Sequence, residues 1–469
     1  MALDKKTNNL YQIKYHWLIQ FLFEKSSGKY ASFYPTRLRS VQKINDYEKN
    51  FFPIFKMDLL INDAYFDLIF QEQRQMKCKV TLYKKYYDTT STAQDGADTV
   101  PVIEEKIMED SFIPFFDRMP GDVISGADVV TKENIDDTSR MNTEEDSIGK
   151  ITSANVTVTL WHINSLTSYK RYTNALLVDC TVGTAMGYIL SGYQGIVNDA
   201  IVDLPDNQVP YQELFLLPYG LRNSFYSLQY RYGIYANGLW AFLDNGRLYL
   251  LKALSINHQH AKGKAGFTRI KLKKNPGTIA PAYICGINKN DGNFIYETTG
   301  VLQKHNRDVI MGEVFGDSLL YTNFEKLVNS VTGNAGAVSQ KSIMTLLNRE
   351  KLSHKDSGTK LEVEYDELDN PYNFMAKMRA ESLNMVVPVS VKGVDIESFT
   401  PEKVVNLEIT DDAKANNRYG GQYCIRNTVY VFVPDDNAKI GGSKSKPIFE
   451  TTAVAEVTLS RVPADIISN

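Results

Sequence analysis

The stretch YGIYANGLWAFLDNGRLYLL occupies residues 232–251. Asn245-Gly246 stands between two nearly wholly apolar runs, 239–243 and 247–251. An Asn-Gly pair supplies the positive φ that a tight hairpin turn demands, so the stretch predicts an antiparallel hairpin. Just upstream, Leu221, Phe225, Leu228 and Tyr232 share one helical stripe, and Gly233 is placed to end that helix. A hairpin alone is marginal in water. One that is apolar on both faces carries more surface than a single helix covers. Phe225 and Leu228 are the nearest cover for Leu239, Leu243, Leu248 and Leu250; the remaining surface is left for another domain or another subunit.

Strands dominate on both sides of this unit. Ile13, Tyr15, Trp17, Ile19, Phe21 and Phe23 alternate with Lys14, His16 and Gln20, which reads as a half-buried strand. Residues 51–61, 64–70, 76–87, 155–163 and 168–180 continue the pattern, and 11–180 reads as one antiparallel β-barrel. Residues 91–149 break it. They hold fifteen acids, Glu104, Glu105, Glu144, Glu145 and Asp146 among them, against four basic residues. Such a run reads as a solvated insertion, with contact to a partner as the alternative. A helix is predicted over 181–190, capped by Thr181. Two further helical patterns fall within 317–350. Strand patterns return at 360–366, 384–395, 403–410, 422–433 and 451–462. The fold class is therefore mainly β with α+β insertions. Its expected parts are a first barrel over 1–180, a small helix-hairpin domain over 181–252, and a second barrel over 253–469 interrupted by helices.

Composition excludes several classes. At 469 residues, 43% hydrophobic and 23% charged, the chain is globular and large enough to bury its own core. A net charge of −3 argues against a general nucleic-acid binder. No apolar run reaches membrane-spanning length, so no membrane insertion is expected. The four cysteines, Cys78, Cys180, Cys285 and Cys424, lack C-x-x-C spacing and read as free, mostly buried thiols. The 28 tyrosines outnumber the 22 phenylalanines, which fits either a β-rich core or large half-wet interfaces.

A search for chemistry returns no catalytic constellation, cofactor motif or metal set. His258 and His260 point the same way on a strand, but no Cys, Asp or Glu lies near them in sequence. His162 reads as a rim or core histidine. Cys180 precedes a helix, yet carries no peptidase signature around it. GGSKS at 441–445 lacks phosphate-loop spacing and reads as a hairpin loop, and 288–293 as a turn. Glu104 and Glu105 sit where nothing desolvates them. Residues 245–290 hold nine basic residues and no acid. Lys262, Lys264, Arg269, Lys271, Lys273 and Lys274 make a basic strand, read as a solvated or acid-paired face, or as one that meets a polyanion or a channel lumen.

The order helix, Gly-Ile-Tyr, apolar strand, Gly turn, apolar strand resembles a signature of the baseplate hub proteins of contractile phage tails. The same signature occurs in late-control tail proteins and in the hub part of type VI secretion spikes. The matching positions include Gly233, Ile234, Tyr235, Leu239, Trp240, Phe242, Asn245, Gly246, Leu248 and Leu250. Helix 181–190 resembles the family's entry helix, and 420–432 with 449–462 its closing strands. The resemblance implies two tail-tube-like barrels per subunit and a homotrimer. That trimer joins a hexameric tail tube, or its initiator protein, to a central spike, and forms part of the DNA channel. It implies a structural protein of the virion baseplate, assembled in the host cytoplasm. The chain ends at Asn469 without a spike region, so the spike is expected to be a separate polypeptide. Wedge and tape-measure proteins are further candidate partners, the wedge or the spike meeting the 91–149 insertion. The rival readings are a tail-associated peptidoglycan hydrolase and a peripheral receptor- or glycan-binding tail protein.

Overall fold

Strand β1 (Leu10–Glu24) shows how the sequence builds the core. Its residues Ile13, Tyr15, Trp17, Ile19 and Phe21 are fully buried, because a pleated strand sends alternate side chains to opposite faces. The computed structural model describes residues 10–24, 30–47, 51–62, 65, 69, 76–88, 103–118, 153–235, 238–244, 246–253, 267–273, 284–288, 293–299, 386–401, 403–434, 441–443 and 446–461.

After β1 come β2 (Tyr30–Phe33), β3 (Arg37–Asp46), β4 (Ile54–Asn62), β5 (Lys77–Asp88), β6 (Ile103–Arg118) and β7 (Ser153–His162). The C-terminal part holds β16 (Val386–Lys392), β17 (Val404–Ile409), β18 (Gly421–Pro434), β19 (Gly441–Ser443) and β20 (Lys446–Arg461). A closed antiparallel barrel of eight strands runs β18-β3-β4-β7-β6-β5-β1-β20 and returns to β18. The first 180 residues therefore do not close a barrel by themselves. Six of its strands come from the N-terminal part, and β18 and β20 complete it, leaving no unpaired edge.

A second circuit of pairings shares three of those strands. It passes through β13 (Phe267–Lys273), β14 (Ile284–Asn288) and β15 (Asn293–Thr299). Its order is β1-β14-β15-β13-β17-β18-β20, with β16 added beside β20. It departs from the expected antiparallel pattern, because β13 runs parallel to both β15 and β17. β18 shows how a shared strand serves both circuits: Tyr423 pairs with Val405, while Asn427 to Phe432 pair with β3. Lys262, Lys264, Lys274, His258, His260, 317–350 and 360–366 lie outside the described residues.

Three readings within the N-terminal part are corrected. The acidic segment contributes β6, a full barrel strand. Its charges mask the alternation in sequence, and they are held on the outside by β5: Lys79 meets Glu109 at 2.6 Å and Lys85 meets Glu104 at 3.4 Å. Such opposite-charge pairs across a ladder favour pairing. Tyr65 and Ile69, the described residues of 64–70, are helical rather than extended. Residues 168–180 split into the end of α1 (Ile163–Lys170) and β8 (Tyr172–Cys180), and β8 pairs with β10 (Tyr211–Gly220), away from the barrel.

Those two strands belong to the helix-hairpin unit. It also contains α2 (Val182–Ser191), β9 (Asp199–Val202), α3 (Leu221–Tyr232), β11 (Leu239–Asp244) and β12 (Arg247–Lys252). The Thr181 hydroxyl accepts from the Thr184 N–H and caps α2 as expected. β12 pairs with β11 on one side and, in parallel, with β9 on the other. A last short helix, α4 (Ala413–Tyr419), is capped by Asp412.

Candidate functional site

The hairpin β11–β12 is a two-sided wedge between two cores. Register places Trp240 opposite Leu251 and Phe242 opposite Tyr249 on one face. These four join the cluster of the barrel strands, where Tyr47 meets both Trp240 and Phe242. Leu239, Ala241, Leu243, Leu248 and Leu250 face the other way and pack in a second cluster with Phe225, Leu228, Met186 and Ile189. Each large apolar side chain so buried contributes about 2 kcal/mol. The question raised by a hairpin apolar on both faces is answered inside the chain: helices cover one face and the barrel covers the other.

Polar contacts fix the wedge. The Leu243 N–H donates to the Phe51 carbonyl at 2.6 Å, joining β11 to the loop between β3 and β4. Lys43 of β3 meets Asp244 at 2.9 Å. The Gly-Ile-Tyr turn has its own clamp. Gly233, at φ 73°, ends α3, and the Gln229 amide oxygen accepts from the Ile234 and Tyr235 N–H groups at 3.0 and 2.9 Å. Asn207 donates to the Tyr232 and Gly233 carbonyls. The buried Tyr235 hydroxyl donates to the Asp203 carbonyl at 2.7 Å, and burial pushes its pKa up. Gln229, Asn207, Lys43 and Asp244 were not singled out in the sequence. A polar residue in an otherwise apolar stripe, as Gln229 is in α3, is the signal that could have marked one of them.

Gly233, Ile234, Tyr235, Leu239, Trp240, Phe242, Gly246, Leu248 and Leu250 thus come together in one intramolecular joint; Asn245 lies outside the described residues. The basic strand is a different place. Arg269 and Lys271 alternate on β13 with buried Thr268, Ile270 and Leu272, so they are half-buried on the other face; Lys273 is the last residue of β13. His162 caps α1, its Nδ1 accepting from the Asn164 N–H at 3.1 Å. Burial, with Asp179 second, pushes the Cys180 thiol up, which opposes a nucleophilic role. Cys78, Cys180 and Cys424 carry free buried thiols. Among the described residues no group of His, Cys, Asp and Glu is placed to hold a metal, and no helix is long and apolar enough to cross a membrane.

The exposed apolar surface of the unit lies on its outer ribbon, β8–β10. Tyr172, Leu176 and Val178 project from one face of β8, and Phe215 of β10 stands directly opposite Leu176. Leu176 is 51% exposed and Phe215 49%, while Leu214 and Leu216 on the reverse face are buried. Large apolar side chains are thus grouped on one face of a two-stranded sheet.

Among solved structures, the chain is similar to the tail protein from Neisseria meningitidis MC58, at 9% identity over 95% of this chain and 96% of that one, with a TM-score of 0.40. It is similar to the 43 kDa tail protein of prophage MuSo2 from Shewanella oneidensis, at 8% identity over 95% and 96%, with a TM-score of 0.37. It is also similar to the E. coli c3393 protein, at 9% identity over 96% and 75%, with a TM-score of 0.33. That protein is described as a type VI secretion component with structural similarity to the T4 bacteriophage tail proteins gp27 and gp5. No curated protein matches the sequence. The model of the family described as Bacteriophage PBS1 gene 109 protein matches residues 5–459, nearly the whole chain, and the chain belongs to that family.

Proposed function

We propose that this phage protein is a structural hub of a tail baseplate, a homotrimer that joins the tail tube to a central spike. The observation that carries the reading is the exposed ribbon β8–β10, held on the barrel by the wedge of β11–β12. A rigid body that presents an apolar ribbon suits permanent assembly better than turnover of a substrate. Family membership supports the same reading. Passage of DNA along the axis of the assembly, with the basic face of β13 toward it, belongs to this proposal. So do assembly in the host cytoplasm and contacts with wedge and tape-measure proteins.

The test is mass in solution by light scattering at several concentrations, followed by binding to purified tube and spike proteins. A trimer near three times 53.1 kDa that binds both is expected. A monomer at every concentration with no affinity for either protein would overturn the hub. Clearing of host cell walls in a zymogram would overturn the purely structural role.

A further inference from the structure

The connection from β16 to β17 crosses a buried polar knot. Tyr15, Tyr430 and Tyr296 hold its backbone: Tyr15 donates to the Val394 carbonyl at 2.8 Å, Tyr430 donates to the Ile396 carbonyl at 2.8 Å, and Tyr296 accepts from the Asp395 N–H at 3.2 Å. At the centre stand two charges with no solvent contact, Lys84 of β5 and Asp395, each 0% exposed. Lys84 Nζ lies 3.0 Å from Asp395 Oδ2 and 3.2 Å from Oδ1, beside the carboxyl carbon. A second carboxylate, Glu397, accepts from the same Nζ at 2.7 Å, and its side chain is half exposed. Glu105 is 3.9 Å away. Both Asp395 oxygens already receive donors: the Tyr86 hydroxyl on Oδ2 and the Glu397 N–H on Oδ1, the latter at 2.9 Å.

This is the layout of a reaction centre as well as of an ion pair. An amine is held against a carboxyl group. A second carboxylate is in reach of the amine proton. Two donors are aimed at the oxygens on which negative charge would grow. Burial works to lower the Lys84 pKa, but Asp395 and Glu397 outweigh it and keep the ammonium charged. Burial likewise works to raise Asp395, and Lys84 and Tyr86 outweigh it. The starting state is therefore an ion pair, and each buried charge in it carries a desolvation penalty. Condensation removes both charges. Holding the groups in contact replaces an encounter with an intramolecular step, an effect worth about 10⁵ M or more in effective concentration.

We propose that Lys84 and Asp395 condense into an isopeptide bond that ties β5 covalently to the β16–β17 connection. Glu397 takes one proton from the Lys84 ammonium. Asp395 turns about its terminal torsion, and the free amine attacks its carbonyl carbon, so that a C–N bond forms. The Tyr86 hydroxyl and the Glu397 N–H each hold one of the two oxygens as charge grows on them. Glu397 passes its proton to the departing oxygen, which takes a second proton from the new C–N nitrogen. The C–O bond breaks and one water leaves. Ammonium and carboxylate become amide and water, no electron is gained or lost, and Glu397 returns to its carboxylate form.

The test is the intact mass of the full chain, purified, incubated at neutral pH and denatured before measurement. The expected mass is one water below that of the sequence. A tryptic digest should yield a branched peptide carrying both Lys84 and Asp395, with cleavage after Lys84 absent. Glu397→Gln keeps both partners, and the yield of that peptide should fall by about a hundredfold or more; Lys84→Arg should abolish it. Full mass after prolonged incubation would overturn the bond. So would a water loss that maps to Asp95-Gly96 or Asp291-Gly292, where an aspartyl succinimide accounts for it.

Discussion

Lys43 of β3 and Asp244 at the end of β11 form an ion pair 2.9 Å long at the junction of barrel and hairpin unit, with both residues buried. The two are 201 positions apart in sequence. Truncating one of them strands a charge in a dry joint. Lys43→Ala or Asp244→Ala should each lower unfolding free energy by about 3–5 kcal/mol. Replacing the pair together by Met and Leu should restore most of that loss, because no lone charge remains. Urea unfolding of the three variants decides it, and single and double variants of equal stability would refute the account.

Two glycines should respond with opposite sign. Gly246 has φ 75°, and a Cβ there would meet the Asn198 Nδ2 at 2.9 Å. Gly246→Ala should destabilise by about 1–2 kcal/mol. Gly187 lies on the exposed side of α2 with nothing within 4 Å of an added Cβ. Gly187→Ala should stabilise by about 0.5–1 kcal/mol. Thermal melts of both variants check the pair of signs.

The ribbon can be changed without touching either core. Leu176→Lys with Phe215→Glu should leave monomer stability within about 0.5 kcal/mol, since both side chains are half exposed and the new charges face each other with opposite sign. Assembly with copies of the chain or with tail proteins should be lost. Sedimentation beside a melting curve separates the two effects. Unchanged assembly would remove the ribbon from the interface.

Acid should loosen the seam between β1 and β20. The His16 imidazole, 3.1 Å from Glu450, and then the Lys14 ammonium hold the Glu450 carboxyl down at about 2. Its ordinary value is 4.5, so the folded-state pKa is depressed. The stabilisation is present above the ordinary value and is lost as pH falls from there toward the folded-state value. Glu450→Gln should cost about 1 kcal/mol at neutral pH and flatten that acid-side decline. Unfolding curves at pH steps across the window measure the difference in slope.

Much of this was legible in the residues. β1 could be read because one face is apolar and the other is not. The hairpin could be read because Asn-Gly sets the turn and α3 precedes it at clear helical spacing. β6 was hidden, since an outer face paired to lysines on β5 looks in sequence like a solvated acidic loop. β8 was assigned to the barrel because period two identifies a strand and not its partner. Closure by β18 and β20, and the parallel run of β13, are facts of pairing that no local pattern carries. The Lys43–Asp244 and Lys84–Asp395 pairs stayed invisible for the same reason. Each partner reads as an ordinary surface charge until the fold brings the other against it.

The strands shared by the two circuits set an order of events during synthesis. Trp17 on β1 donates its indole N–H to the Thr451 hydroxyl, 434 positions along the chain. No barrel can close on the ribosome until residues near 461 have been translated. Until then β1 and β3, the two ends of the six-strand N-terminal run, lack β20 and β18 beside them, and the open wall exposes edges and apolar faces. Contacts this distant also make closure slow, because loop entropy is lost before pairing returns it. The nascent chain is therefore the state most exposed to aggregation. Truncation of the last strand should yield an insoluble product rather than a shortened, working one.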